Sequence, residues 1–160
     1  MKEVFGDIWT YPADVICITT NGSVKSNGSG VMGRGVALQA KQRYPDLQLD
    51  KVLGKSIRKN GLRVDTLSAM KTFHIPGTNR ESSEKVLLVF PVKFEWHEKA
   101  DLKLIESSAS QLEFLAKRSQ NKIFVLPRPG CGNGGLDWKD VKPAIERYLP
   151  DNVHVITNGI

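Results

Sequence analysis

Short β-rich apolar runs alternate along this chain with stretches patterned as helices, and that alternation confines it to α/β architectures. Asp14–Thr19 (DVICIT) is apolar at consecutive positions, the mark of a strand buried on both faces. Val4-Phe5, Lys71–Ile75, Lys85–Val92, Lys122–Leu126 and Val153–Ile156 read as further strands. Between them, Gly35–Tyr44 reads as a helix closed by Pro45, and Asp46–Lys59 as a second, polar helix ending at Asn60-Gly61. Ala100–Arg118 is the clearest helix, because Leu102, Ile105, Ala109, Leu112 and Ala116 recur at three and four residues and make one apolar stripe. A last helix is expected to start near Trp138 or Lys139, with Pro143 close to its first turn, where a missing N–H costs least. Strands joined by helical crossovers imply a largely parallel sheet covered on both faces. Ligands of such sheets sit beyond the carboxyl ends of the strands, so the loops that follow strands are where function should lie.

At 160 residues, 40% hydrophobic and 25% charged, the sequence reads as one soluble domain spanning residues 1–160 and excludes fibrous and disordered classes. No apolar run approaches the roughly 20 residues that a membrane-spanning helix needs. Met1-Lys2-Glu3 leads straight into strand-like sequence without an apolar signal region, so a cytoplasmic monomer is the expectation. Two cysteines, Cys17 and Cys131, are too few for a disulfide framework or a zinc site, and both read as packed small residues without a redox role. The histidines His74, His97 and His154 lack ligand spacing, so neither a metal nor a cofactor is expected. The net charge of +6 is concentrated locally. Between Lys41 and Arg63, seven basic residues (Lys41, Arg43, Lys51, Lys55, Arg58, Lys59 and Arg63) stand against Asp46 and Asp50. Such a patch suits contact with nucleic acid, and a solvated helix face accounts for it as well.

Two glycine-rich loops follow buried strands. The first, Thr20–Gly35 (TNGSVKSNGSGVMGRG), leads into a helix whose N-terminus favours an anion. Gly28, Gly30 and Gly33 fit the dinucleotide pattern G-x-G-x-x-G, yet a dinucleotide turn puts its first glycine at the strand end, and no acid-ended strand follows at the required distance. The second loop packs four glycines into Gly130–Gly135, directly after KIFVLPRP. That is costly in chain entropy. A plain turn needs one or two, and close backbone approach to a phosphate accounts for the others. No Gly-Lys-Ser/Thr follows either loop, so nucleoside triphosphate hydrolysis is not expected. Lys93 ends the apolar run Val86–Val92 at the same sheet edge; by itself it reads as a lysine reaching from a strand end into water.

GDIW at Gly6–Trp9, DVICITTN at Asp14–Asn21, VMGRGVALQAKQRYP at Val31–Pro45 and LPRPGCGNGGLDW at Leu126–Trp138 together resemble the macrodomain family. The resemblance covers nearly the whole chain. It is nearest to the branch that holds the terminal ADP-ribose protein glycohydrolase and the DNA ADP-ribosyl glycohydrolase antitoxins, whose Met-Gly-x-Gly-Ile/Val-Ala loop matches Met32–Ala37. It implies a three-layer α/β/α fold with a mixed central sheet, and ADP-ribose or an ADP-ribosylated macromolecule as partner. Carried over by position, Asp7 accepts from the adenine amino group and Ile8 packs beside the base. Thr19 and Asn21 line the floor near the ribose, and Val31, Met32, Gly33, Arg34 and Gly35 wrap the diphosphate and distal ribose. Gly130, Cys131, Gly132, Asn133, Gly134, Gly135 and Leu136 donate N–H groups to the diphosphate, and Asn158 flanks the adenine.

The resemblance also makes Lys93 the catalytic residue, acting on the anomeric carbon of the distal ribose. A partly desolvated amine can form a Schiff base with a sugar aldehyde. One departure bears on this. The protein glycohydrolase pairs its lysine with an aspartate where this chain has Gly134, and Asp137 is better placed to cap the next helix. Glu95 and His97 are the candidate proton carriers nearby. The expectation is an ADP-ribosyl hydrolase acting on modified nucleic acid ahead of protein. The alternatives are a non-catalytic ADP-ribose-binding module and an ADP-ribose 1″-phosphate phosphatase.

Overall fold

Along the second strand, Val15 and Cys17 pack on one face of a sheet and Ile16 and Ile18 on the other, and all four are buried. A strand with apolar side chains on both faces must lie inside a sheet covered twice, and the rest of the chain is arranged around it. The computed structural model describes residues 1–71 and 84–158. Six strands, β1 (Lys2–Phe5), β2 (Val15–Thr20), β3 (Asp65–Lys71), β4 (Glu84–Pro91), β5 (Phe124–Pro127) and β6 (Val153–Thr157), form one sheet in the order β1-β6-β5-β2-β4-β3. All neighbours are parallel except β3, which runs antiparallel to β4 at the edge. This is the mixed central sheet that the resemblance implies.

Helices α3 (Leu102–Arg118) and α4 (Trp138–Glu146) cover one face, their Ile105, Ala109, Leu112, Val141 and Ile145 packing on Cys17, Phe90 and Leu126. Helices α1 (Gly35–Arg43) and α2 (Leu49–Asn60) cover the other, through Ala37, Ala40, Leu49 and Leu53. The stripe expected on α3 is the buried face, and Asp101 caps that helix by accepting from Leu104 N at 2.9 Å. No helix among the described residues is long and apolar enough to cross a membrane.

The structure corrects two expectations, and a third lies outside the described residues. The predicted strand Lys71–Ile75 lies, past Lys71, outside the described residues; Asp65–Lys71 is a strand that the sequence reading did not foresee, and it forms the sheet edge. The polar helix expected over Asp46–Lys59 is broken at Gln48, which adopts φ 49° between a 3₁₀ turn at Pro45–Leu47 and the start of α2. Pro143 is the sixth residue of α4, beyond its first turn, and the helix ends three residues later at Glu146.

From β2 the chain turns to one side of the sheet, to β3 and β4, and from β4 it crosses to the other side, to β5 and β6. The boundary between β2 and β5 is therefore the topological switch point, where adjoining loops leave in opposite directions. Pairing there is short: β2 and β5 register only at Val15–Phe124 and Ile16–Val125, whereas β2 and β4 stay in register over six residues.

Helix α2 also carries the loop after β2. Residues 24–30 fold into a small hairpin, with a Val24–Gly30 bridge, and Gly30 N donates to Asp50 O at 2.7 Å. A Cβ on Gly54 of α2 would stand 1.8 Å from the carbonyl oxygen of Gly28. Helix propensity alone favours Gly54→Ala by about 1 kcal/mol. The overlap costs about 3 kcal/mol, so the expected net loss is about 2 kcal/mol. In a thermal melt Gly54→Ala should lower Tm by roughly 4–8 °C for a chain of this size. An unchanged or raised Tm would show that the loop is not seated on the helix.

Candidate functional site

The loops that follow the carboxyl ends of β1, β2, β4, β5 and β6 surround one cleft over the switch point. It has two connected compartments, of about 1110 Å³ and about 700 Å³, which share Val36, Gln39, Pro127, Arg128 and Gly132 at their waist. Asp7, Ile8, Cys131, Gly135, Leu136 and Asn158 line the larger compartment. Thr19, Asn21, Val31, Gly33, Arg34, Gly35, Lys93, Gly130, Asn133 and Gly134 line the smaller. Of the residues carried over as catalytic or ligand-binding, all border the cleft except Met32. That side chain is 2% exposed and belongs to the core under α1, so the loop reaches the cleft through Val31 and Gly33 instead.

The first loop is held by its own side chains. Asn21 Nδ2 donates to Val31 O at 3.1 Å, and Asn21 Oδ1 accepts from Ser23 N at 3.0 Å, closing the loop across its base. Gly28 and Gly30 face α2 in the hairpin described above, so two of the three glycines of the G-x-G-x-x-G coincidence have a packing origin, while Gly33 borders the cleft, where a Cβ would meet nothing within 4 Å. The segment after β4 is tied to the same loop three times. Gly22 N donates to Phe94 O at 3.1 Å, Ser23 Oγ donates to Glu95 Oε2 at 2.7 Å, and Trp96 N donates to Ser23 Oγ at 2.9 Å. These ties hold the three residues that follow Lys93, and Val92 N, donating to Thr20 O at 2.9 Å, holds the residue before it. Lys93 is half-buried, and its ammonium donates to Asn133 O at 3.3 Å and to Trp96 O at 3.5 Å, which spans the two loops. Neither Glu95 nor His97 lines the cleft: Glu95 serves Ser23, and His97 stands edge-on to Trp96 at 5.4 Å.

The second loop meets the first where a Cβ on Gly35 would lie 3.2 Å from Asn133 Nδ2. Its glycines divide into two kinds. A Cβ on Gly130 would stand 2.8 Å from Ile105 Cδ1, and one on Gly134 would stand 2.5 Å from Gly130 O and 2.8 Å from Ala100 Cβ. Those two are demanded by packing inside the protein. Gly132 has nothing within 4 Å and is open to the cleft. The loop's turns also consume donors: Cys131 N bonds Arg128 O, Gly135 N bonds Gly132 O, and Leu136 N bonds Gly130 O. The expectation that all seven residues offer N–H groups to a ligand is therefore corrected. Among the described residues, no hydrogen bond occupies the N–H groups of Gly132, Asn133 and Gly134. Asp137 caps α4, its Oδ1 accepting from Lys139 N at 3.5 Å, as its place in the sequence suggests. Burial pushes the thiol of Cys131 up to about 11 and that of Cys17 up to about 12, so both stay protonated at neutral pH.

Sequence reasoning missed Arg128, which lines both compartments. Its guanidinium lies over the Trp138 ring, 4.9 Å from the centroid, and 3.7 Å from Glu3 Oε1. Glu3 in turn accepts from Lys142 Nζ at 2.7 Å and from Trp138 Nε1 at 2.9 Å, and these bonds hold its carboxyl below the usual carboxylate range. A cation between two prolines at a strand end was the available signal; its partner Glu3, near the start of the chain, could not be read locally. Of the basic patch, only Arg43 reaches the cleft, stacked 5.3 Å from the Trp9 centroid, while Lys51, Lys55, Arg58 and Lys59 are exposed on α2.

The profile of a family described as Macro domain matches residues 25–145. A DNA ADP-ribosyl glycohydrolase from Mycobacterium tuberculosis is 30% identical over 128 residues, 78% of this chain and 34% of that protein. A DNA ADP-ribosyl transferase–DNA ADP-ribosyl glycohydrolase fusion protein from Thermosipho africanus is 30% identical over 136 residues, 79% of this chain and 34% of that protein. The chain thus spans about a third of the length of these curated relatives. Among solved structures, Thermosipho africanus DarTG in complex with ADP-ribose superposes with a TM-score of 0.74 at 25% identity, over 97% of this chain and 41% of that one. The macrodomain of Mycobacterium tuberculosis DarG gives 0.67 at 28% identity, over 97% of this chain and 95% of that one.

The division among the loop glycines can be tested by melting. Gly134→Ala should lower Tm by roughly 4–8 °C, because backbone and Ala100 stand in the way of its Cβ. Gly132→Ala should melt within about 1–2 °C of the unsubstituted protein, as exposed substitutions do. Equal losses at both positions would erase the distinction.

Proposed function

The chain belongs to the Macro domain family, and on that footing we propose that its cleft binds ADP-ribose and that the protein removes ADP-ribose from a modified macromolecule, nucleic acid ahead of protein. The observation that carries this reading is the position of Lys93, whose amine lies in the compartment lined by both glycine loops. The Thermosipho africanus structure in complex with ADP-ribose supports the ligand. The activity named for the relatives supports both the reaction and the nucleic-acid carrier.

On this reading the larger compartment takes the adenosine, with Ile8 as apolar floor and the Asp7 carboxylate accepting from the exocyclic amine. The diphosphate crosses the waist, where Arg128 and the Gly132 N–H supply positive charge and donors. The distal ribose enters the smaller compartment and presents its anomeric carbon to Lys93. Hydrolysis forms a bond from water oxygen to that carbon and breaks the bond to the macromolecule, whose leaving atom takes a proton. Lys93 carries three N–H donors and spends two on carbonyl groups. The third can deliver a proton to the leaving atom, and the amine then recovers one from the attacking water. A covalent lysine adduct resolved by an aspartate at position 134 is disfavoured, because a side chain there would overlap Gly130.

Two measurements test the proposal. Lys93→Ala should still bind ADP-ribose in calorimetry yet release it from ADP-ribosylated DNA at least about 100-fold more slowly; equal turnover would remove Lys93 from the reaction. If the unsubstituted protein binds but never releases product, the hydrolase reading falls and a binding module remains. Arg128→Ala should weaken ADP-ribose binding by about 10-fold or more, as expected for a lost charge-assisted contact, while affecting adenosine much less. Equal losses for both ligands would place Arg128 away from the diphosphate.

A further inference from the structure

We propose that Trp96, with Phe94 beside it in the chain, is a stacking platform for a nucleobase of single-stranded nucleic acid at the outer end of the smaller compartment. The inference rests on the ADP-ribose reading and adds where the modified macromolecule lies. Trp96 lines the compartment that holds Lys93, and its own carbonyl accepts from the Lys93 ammonium. Whatever is attached at the anomeric carbon beside Lys93 must therefore pass close to the indole.

Trp96 and Phe94 are each 53% exposed, although an aromatic ring normally gains by burial. They do not hang on a loose loop, because Gly22 N bonds Phe94 O, Ser23 Oγ accepts from Trp96 N, and the same hydroxyl donates to Glu95 between them. His97 meets the indole at right angles, with 5.4 Å between ring centroids, and more than half of Trp96 still faces solvent. A rigid, exposed indole suits a flat partner, since little conformational entropy is lost on stacking.

The charge around it selects the kind of partner. Lys25, Arg34, Lys93 and Arg128 line this compartment, and no carboxylate among the described residues does. Beyond Lys25 the positive surface continues, because Arg58 of α2 donates to Lys25 O at 3.4 Å and is itself exposed. Aromatic faces interleaved with cations are the recognition chemistry of single strands, in which bases stack and phosphates follow the positive track. A duplex does not fit, because its bases are not free to leave the stack without an unpairing cost.

The test is fluorescence anisotropy with a short, unmodified, pyrimidine-rich single strand and with the same sequence as a duplex. The unsubstituted protein should prefer the single strand, Trp96→Ala should weaken that binding by about tenfold, and Trp96→Phe should restore most of it. Phe114→Ala, at an exposed aromatic on α3 away from the cleft, should bind the strand as the unsubstituted protein does. Lys25→Ala should flatten the salt dependence by about one phosphate contact. Equal affinity of Trp96→Ala and the unsubstituted protein for the strand would overturn the platform, as would preference for the duplex or for an ADP-ribosylated peptide. Calorimetry with free ADP-ribose reads the earlier proposal separately: binding there, with no effect of Trp96 on the strand, sinks only the platform.

Discussion

Strands β2 and β5 stay in register for two residues and then part, and the cleft exists because of that divergence. A central strand buried on both faces cannot move without dismantling two cores, so β2 is a fixed wall. β5 ends in Pro127-Arg128-Pro129, where two residues without an N–H stop the ladder from continuing. The loops on either side of the gap then bring backbone and cations to one place, and each is anchored outside the cleft. The first rests on α2 through Gly54, and the second rests through Gly130 on Ile105 of α3 and on Ala100 just before that helix.

Between those two anchors lies a short network with Ser23 at its centre. Its hydroxyl donates to Glu95 and accepts from the Trp96 backbone, so the segment that follows Lys93 is held by a residue of the neighbouring loop. The acid and the imidazole beside Lys93 thus have structural partners, and the lysine is the titratable side chain of that segment that faces the cleft. Steric exclusion at Gly134 has the same effect from the other side. The chemistry of the smaller compartment is carried by cations, amides and one hydroxylated, aromatic-edged rim, without a carboxylate among the described residues.

Much of this was legible in the residues themselves. DVICIT announces the central strand, the 3–4 periodicity of α3 gives its buried face, and the loops after β2 and β5 mark the cleft because parallel sheets place ligands there. What was not legible depends on contacts distant in sequence. The alternation in Asp65–Lys71 is short, limited to Leu67 and Ala69 on either side of Ser68, and α2 is cut from its predecessor by a left-handed Gln48 that no local pattern requires. The glycines of the second loop were read as making room for phosphate, yet Gly130 and Gly134 make room for Ile105 and Ala100. Arg128 acquires its place from Glu3, more than 100 positions earlier, through a salt bridge shared with Trp138 and Lys142.

The one-sided charge of the smaller compartment also bears on how a catalytic cycle would end. Once cleaved, an ADP-ribose anion would leave behind four cations with no acidic side chain to push it out. On the proposed reading, the charges that favour capture of the diphosphate also oppose its departure, and a rise in ionic strength would weaken its hold on the free nucleotide.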